Sequence, residues 1–139
     1  MIILGFDPGE SSGVAVCSVD GHMSTFSILM HGVLSKWRGV EAIIDEYVPD
    51  VIVAESYVLY PHLAMVQAFS TLVAARVLGA LEEIAERRGI PLIEQSASIG
   101  TKLRLPANIF SQTGKYWSEH EKDCVKHITA YCYGRGIKE

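Results

Sequence analysis

The sequence predicts an α/β fold in which helices flank a five-stranded sheet. Three β-type segments follow one another at about 1–7, 12–19 and 22–30, with turn residues between them. Two short apolar segments, at 50–55 and 91–95, each follow a stretch whose apolar residues have helical spacing. Tight turns favour antiparallel pairing, whereas a strand reached through a helix is expected to run parallel to the first strand.

The first strand and the turn after it are the most informative stretch. The apolar run at 2–6 is typical of a buried central strand. Asp7 follows at its carboxyl end, and Pro8-Gly9 then turns the chain. A carboxylate held beside a Gly-rich turn is well placed to bind a metal or a phosphate. The alternative is that Asp7 only begins an Asp-Pro-Gly turn.

Three main helices are predicted. The first spans about 35–48, with Ser35 as its N-cap, and the last spans about 117–134. The longest, at about 62–88, is apolar on nearly every side. Because such a helix must be covered on every side, we expect a second subunit to pack on it, the alternative being a central position in the monomer. Residues 96–116 are predicted to form a mobile loop with one short helix.

The acidic and basic residues are unevenly distributed. The net charge of −4 argues mildly against a nucleic-acid-binding protein. However, residues 95–118 contain Lys102, Arg104 and Lys115 and no acid. An acidic site flanked by acid-free surface would suit a metal-dependent enzyme acting on a polyanion. An unevenly charged solvated surface would give the same pattern.

Cysteine content and hydropathy bound the class of protein. Cys17, Cys124 and Cys132 give an odd count without a Cys-x-x-Cys pair, so they are expected to be small core residues. No stretch approaches the roughly 18 apolar residues of a membrane span, and no signal peptide is recognisable. We expect an intracellular protein formed by a single domain over 1–139.

Three acids stand where elements end or turn. Asp7 ends the first strand and Glu55 the fourth, so parallel neighbouring strands would bring both to the edge where α/β sites form. His120 and Asp123 share one face of the last helix, which could aim both at that edge. Hard divalent cations prefer oxygen ligands, and two such ions about 3.5–4 Å apart can hydrolyse a phosphodiester. Taken singly, each residue could instead be structural.

His127 lies one turn beyond Asp123 on the same helix face. A zinc site formed by His120, Asp123 and His127 is conceivable, but no third histidine is near in sequence. A tuning or packing role is the preferred interpretation of His127.

Three motifs, taken in order and spacing, resemble the RuvC family of Holliday-junction resolvases within the RNase H-like superfamily. They are Gly5-Phe-Asp-Pro-Gly9 with Ser12-Gly13, Val51-Ile-Val-Ala-Glu55 before a long apolar helix, and His120-Glu-Lys-Asp123. The resemblance covers nearly the whole chain. The short length of the chain is similar to that of the phage-borne members of the family. It implies an RNase H-like sheet with the first three strands antiparallel and the fourth and fifth parallel to the first.

The resemblance also implies an activity, that of a Mg²⁺-dependent crossover junction endodeoxyribonuclease. Such an enzyme is a homodimer, which this chain would form through the 62–88 helix. The dimer nicks two opposed strands of a four-way junction and leaves 5′-phosphate ends. Two Mg²⁺ ions, or Mn²⁺ in their place, would be bridged by Asp7 and completed by Glu55 and Asp123. His120 would stand where relatives have Asp or His. The expected location is the bacterial cytoplasm, or the host cytoplasm for a phage protein.

The DNA contacts implied by the resemblance fall in two places. An aromatic wedge after the fourth-strand Glu would be Tyr57 or Tyr60, since aromatic rings stack on unpaired bases. Lys102, Arg104 and Lys115 would contact phosphates. Because this basic stretch is short, a less selective branched-DNA nuclease is the nearest alternative.

Two functions of other classes compete. The Asp7-Pro-Gly-Glu-Ser-Ser-Gly13 turn also fits a nucleotide-binding ATPase-like module, but such proteins close a second comparable domain over the nucleotide and 139 residues do not contain one. A non-catalytic DNA-binding dimer is the other possibility, against which the full set of acids argues.

Overall fold

A computed structural model gives the fold, and it describes the backbone of residues 1–56 and 64–139 and the side chains of 1–56 and 72–139. The strands are β1 (Ile2–Asp7), β2 (Ser11–Asp20), β3 (His22–Ser35), β4 (Val51–Glu55) and β5 (Leu92–Gln95). The helices are α1 (Val40–Tyr47), α2 (Ala64–Arg87), α3 (Ser98–Lys102), α4 (Ala107–Phe110) and α5 (Glu119–Gly134).

The five strands form one mixed sheet in the order β3-β2-β1-β4-β5. β1 pairs antiparallel with β2, and β2 pairs antiparallel with β3. β4 runs parallel to β1 and β5 runs parallel to β4, which confirms the predicted sheet. Phe6 is in register with Ala54. The next residues, Asp7 and Glu55, therefore leave the sheet at the same edge.

The central strands β1 and β4 are buried on both faces of the sheet, because they are apolar at consecutive positions. One face packs Leu4 and Phe6 of β1 against α1 and α2, and the other packs Ile3 against α4 and α5. In β1, Ile3, Leu4 and Phe6 are each 0% exposed. Burial on both sides makes β1 and β4 a rigid support for the residues at their ends.

Two predicted boundaries are wrong. α1 begins at Val40 and not near residue 35, because β3 continues to Ser35, which pairs with Ser11 of β2. The N-cap of α1 is Gly39, whose φ of 92° favours glycine, so Ser35 is not the cap. The 96–116 segment holds two short helices, α3 and α4, instead of one.

The start of α5 is fixed by a capping box. Ser118 accepts a hydrogen bond from the Glu121 backbone N–H, and the Glu121 carboxylate accepts one from the Ser118 N–H. Glu121 also bonds His31 of β3, with Nδ1 and Oε1 2.7 Å apart. The His31 ring stacks on Trp117 at a centroid distance of 3.8 Å. These contacts place the first turn of α5 against the sheet.

α2 has one buried and one exposed side over its described side chains. Ala74, Val77 and Leu81 are buried against the sheet. Leu72 is 63% exposed, and Ala75 and Gly79 on the same side are exposed as well. Among the described helices there is none whose length and apolar content would suit a membrane span.

α5 approaches the sheet at two glycines. A Cβ atom built on Gly5 of β1 would lie 2.8 Å from the Cys124 carbonyl oxygen, and one built on Gly13 of β2 would lie 2.6 Å from the His120 carbonyl group. Real Cβ atoms do not come this close to backbone atoms. Any other residue at these two positions would therefore push α5 away from the sheet.

We expect Gly13→Ala to destabilise the protein by about 1–3 kcal/mol, because the methyl group overlaps rigid backbone. Chemical denaturation measures the change. Gly32→Ala on the adjacent strand is the matched control, since its Cβ would meet no atom of the described residues nearer than Met30 Cε at 3.8 Å. Equal stability of the two variants would contradict the close packing at Gly13.

Candidate active site

Three elements converge at the edge of the sheet where β1 and β4 end. β1 contributes Asp7, β4 contributes Glu55, and α5 contributes His120 and Asp123. The two strand-end acids are buried, with Asp7 3% and Glu55 8% exposed. Burying two carboxyl groups side by side is costly unless each has a polar partner or shares a cation.

Asp7 is the most perturbed of these groups. Its Oδ2 accepts a hydrogen bond from His120 Nδ1 at 2.6 Å. Burial, and after it the neighbouring Glu55, raise the pKa of Asp7 to about 7, against a lowering by His120. Within the described part of the chain, its buried Oδ1 has no hydrogen-bond partner. A buried acceptor without a partner is costly unless an ion or a water satisfies it.

Glu55 is shifted in the opposite direction. Burial alone would raise its pKa, but hydrogen bonds with His127 and with Asp7 outweigh burial and lower it. The contact between the two carboxyl groups contributes to both shifts, because two adjacent carboxyl groups do not readily ionise together. Glu55 is the one that keeps its charge in the absence of a cation.

His120 is the exposed member of the cluster, with a side chain 53% exposed. Its hydrogen bond to Asp7 raises the pKa of the imidazole, and this effect is larger than the lowering caused by burial. The negative charges of Asp123 and Glu55 also raise this pKa. The capping box and the contact with Gly13 both fix the backbone of α5 at this point.

Asp123 lies one turn further along α5, with a side chain 25% exposed. Burial raises the pKa of Asp123, the ammonium group of Lys126 lowers it, and the charge of Glu55 raises it. Lys126 Nζ is 4.0 Å from its carboxylate and donates to the Gly100 carbonyl at 2.8 Å. The structure thus brings Asp7, Glu55 and His120 into contact and places Asp123 beside them, against α3.

His127 has a position that its sequence pattern did not predict. The ring is 0% exposed, with Nε2 3.4 Å from Glu55 Oε1 and Nδ1 2.8 Å from Gln95 Oε1. Both ring nitrogens are therefore engaged, which leaves neither for the zinc site considered with His120 and Asp123. The Gln95 contact depends on Gln95 pairing with Glu55 across β4 and β5, which no local sequence signal indicates.

The donor atoms fit a hard divalent cation. Carboxylate oxygens of Asp7, Glu55 and Asp123 and the His120 imidazole are available at one edge, and Asp7 Oδ1 is buried without a partner among the described residues. As the side chains stand, no group of three or more His, Cys, Asp or Glu residues in the described ranges is arranged so that it could hold a metal ion. The histidines instead pair with the two buried carboxyl groups.

Comparison with solved structures identifies the architecture. T. thermophilus RuvC in complex with Holliday junction substrate matches with a TM-score of 0.74 and 18% identity, over 98% of this chain and 96% of that chain. The fold is that of RuvC. The fowlpox virus Holliday junction resolvase also matches, with a TM-score of 0.58 and 13% identity over 97% of this chain and 99% of that chain. The RuvC fold agrees with the RNase H-like sheet that the sequence predicts.

Sequence comparisons add no closer relative. No protein-family model matches the chain, and no curated protein matches it. The RuvC fold is therefore established by structure, and the roles of individual residues must be argued from their geometry.

The basic residues predicted to contact DNA are all exposed, and Arg104 among them lines a groove. Lys102 ends α3 and is exposed, and Lys115 is exposed with its ammonium group 5.0 Å from the centre of the Tyr116 ring. Arg104 lines a groove of about 420 Å³ with Lys122, Lys126 and Phe110, which we call the basic groove.

Two of the predicted DNA contacts are not described, and other candidates were missed. Tyr57 and Tyr60 lie outside the described residues. Lys122 and Lys126 were missed because acids surround them in the sequence, although helical spacing puts both on the groove side of α5. The exposed Phe110 was missed because no local pattern marks it.

Proposed function

We propose that this protein is a structure-selective, metal-dependent endonuclease that resolves four-way DNA junctions by paired nicks leaving 5′-phosphate ends. The buried pair formed by Asp7 and Glu55 carries the proposal, because one of its oxygens lacks a partner among the described residues. The RuvC fold supports the assignment, since the T. thermophilus protein with this fold was solved with a Holliday junction substrate. The whole chain would act as one nuclease domain.

Asp7, Glu55, His120 and Asp123 would hold the metal, which we propose to be two Mg²⁺ ions replaceable by Mn²⁺. Bound ions supply the activation of water and the stabilisation of the leaving oxygen in phosphodiester hydrolysis. The chain itself contributes rigid placement, because Asp7 and Glu55 stand at the ends of buried strands. His120 keeps Asp7 oriented through its 2.6 Å hydrogen bond.

The basic groove would guide DNA to these acids. Lys122 and Lys126 lie on α5, before and after Asp123 in the sequence, and Arg104 lines the same groove. Their charges suit phosphates of a strand that leads toward the carboxylates. Phe110 is 65% exposed and could stack on a base. Lys102 and Lys115, both exposed, would extend the phosphate contacts beyond the groove.

A homodimer through α2 would allow two opposed strands to be cut. The exposed side of α2 carries Leu72, Ala75 and Gly79, whose spacing places them in one line. Small residues let two helices approach closely, and Leu72 supplies apolar surface to bury. We place the activity in the bacterial cytoplasm, or in the host cytoplasm for a phage protein.

Asp7→Asn tests the nuclease directly. The wild-type protein with Mg²⁺ is expected to cut a labelled synthetic four-way junction in preference to linear duplex of the same sequence. The variant should lose cutting on denaturing gels and keep junction binding, because it removes a metal ligand and leaves the DNA surface unchanged.

Asp20→Asn is the control, because it removes one negative charge at the exposed end of β2, away from the site, and it should cut normally.

Three other results would support the alternative functions. Equal cutting of fork and junction would support the less selective branched-DNA nuclease. DNA binding without cutting in Mg²⁺ or Mn²⁺ would support a non-catalytic dimer. ATP binding without cutting would support the nucleotide-binding module.

Removing two charges from the basic groove should weaken junction binding and its salt dependence. The Arg104→Ala, Lys122→Ala double variant is expected to reduce the slope of log affinity against log salt by about 1–2, as each lost phosphate contact contributes about 0.9. Fluorescence anisotropy at several salt concentrations measures it. The Arg87→Ala, Arg88→Ala control loses the same charge from residues paired with Glu41 and Asp45. Equal losses in both would contradict a groove-specific role.

Leu72→Glu should convert the dimer to a monomer, because it puts charge on the apolar line of α2. Light scattering over a range of protein concentrations measures the mass. Leu29→Glu, at a position 42% exposed on β3, introduces the same charge elsewhere and should leave the dimer intact. A wild-type protein that is monomeric at all concentrations would refute the dimer.

A further inference from the structure

His127 is a buried polar residue that the reaction proposed above does not use. Its ring lies between the last residues of two parallel strands, Glu55 of β4 and Gln95 of β5, which are register partners. Nδ1 donates to Gln95 Oε1 at 2.8 Å, and Nε2 lies 3.4 Å from Glu55 Oε1, within hydrogen-bond distance. One imidazole therefore ties α5 to the ends of both strands.

The surroundings of His127 do not otherwise favour an imidazole. The residues of α5 around it that face the sheet are apolar, including Cys124, Val125 and Ile128. An imidazole buried among them loses its hydration and recovers that cost only through its hydrogen bonds. One of those bonds joins His127 to the Glu55 carboxyl group at the proposed cation site. The other joins it to the side-chain amide of Gln95, which anchors the imidazole.

The anchor is itself held in place. The Gln95 carbonyl oxygen accepts from the Ser56 backbone N–H at 2.8 Å and from Ser56 Oγ at 3.1 Å. Ser56 directly follows Glu55 in the chain. Glu55, Ser56, Gln95 and His127 thus form a closed hydrogen-bonded ring, and a carboxyl group within a ring has fewer orientations available.

We propose that His127 is a positioning residue, which holds the Glu55 carboxyl group against Asp7 so that both face the same cation. The proposal rests on the metal-dependent function proposed above. Residues that orient a metal ligand without touching the metal influence affinity strongly, and their loss typically weakens it about 10–100-fold. In this proposal Glu55 is the metal ligand, and His127 is the residue that orients it.

His127→Leu tests the role, because leucine fills much of the space and makes neither hydrogen bond. The measured quantity is Mn²⁺ affinity of the DNA-free protein, from the electron paramagnetic resonance signal of free Mn²⁺. We expect affinity to fall about 10–100-fold. His127→Gln, which can donate to one partner, should recover part of the loss. Junction binding without metal should not change.

Thr129→Val is the matched control for a purely structural effect. Thr129 is 0% exposed on the same helix, and its hydroxyl donates to the Val125 carbonyl at 2.8 Å. The control loses a buried hydrogen bond without touching Glu55, so it should bind Mn²⁺ like the wild type. Thermal melting by circular dichroism shows that each variant is folded.

A folded His127→Leu variant with wild-type Mn²⁺ affinity would overturn the positioning role. If the His127→Leu variant does not fold, Gln95→Leu is used instead, because it removes the hydrogen bond that anchors the His127 imidazole to β5. Unchanged Mn²⁺ affinity of the Gln95→Leu variant would also overturn the positioning role. A wild-type protein that binds Mn²⁺ and cuts no DNA would refute the nuclease alone. One that binds no Mn²⁺ would refute both proposals.

Discussion

The close approach of α5 to the sheet is the constraint on which the site depends. Gly5 and Gly13 lack side chains where the backbone of α5 crosses β1 and β2, and a Cβ atom at either position would overlap Cys124 or His120. The His120 ring extends from this contact to Asp7 with a 2.6 Å hydrogen bond. Moving the helix outward by the thickness of a methyl group would break that bond and withdraw Asp123 from the same edge. The glycines are therefore part of the site, although they contribute no chemical group to it.

A second constraint is electrostatic. Asp7 and Glu55 are buried side by side, an arrangement that repulsion and lost hydration both oppose. Each acid has an imidazole partner from α5, with His120 on Asp7 and His127 on Glu55. The two partners differ in exposure, since the His120 side chain is 53% exposed and that of His127 is 1% exposed. The exposed imidazole suits a group that contacts a ligand, whereas the buried one suits a group that supports a neighbour.

The sequence predicted the sheet better than it predicted the contacts between elements. Apolar periodicity and turn residues located all five strands, and the shared edge of Asp7 and Glu55 followed from their parallel order. The start of α1 was wrong because β3 gains hydrogen bonds from a long partner strand, which local propensity does not report. The pairing of His127 with Gln95 depends on the β4–β5 register and on the packing of α5. Such contacts join distant parts of the chain and leave no local pattern.

The negative net charge and a DNA substrate are compatible because charge acts locally. At physiological salt, exposed charges more than about 8 Å apart are largely screened from each other. Glu41 and Asp45 of α1 are paired with Arg87 and Arg88 on the α1–α2 side of the sheet. The basic groove lies on the α5 side, where its described lining holds three cationic side chains and one acid, Glu119. A phosphate strand there would experience the cations of the groove and the carboxyl groups at the sheet edge. The total of −4 describes the whole chain and does not describe that path.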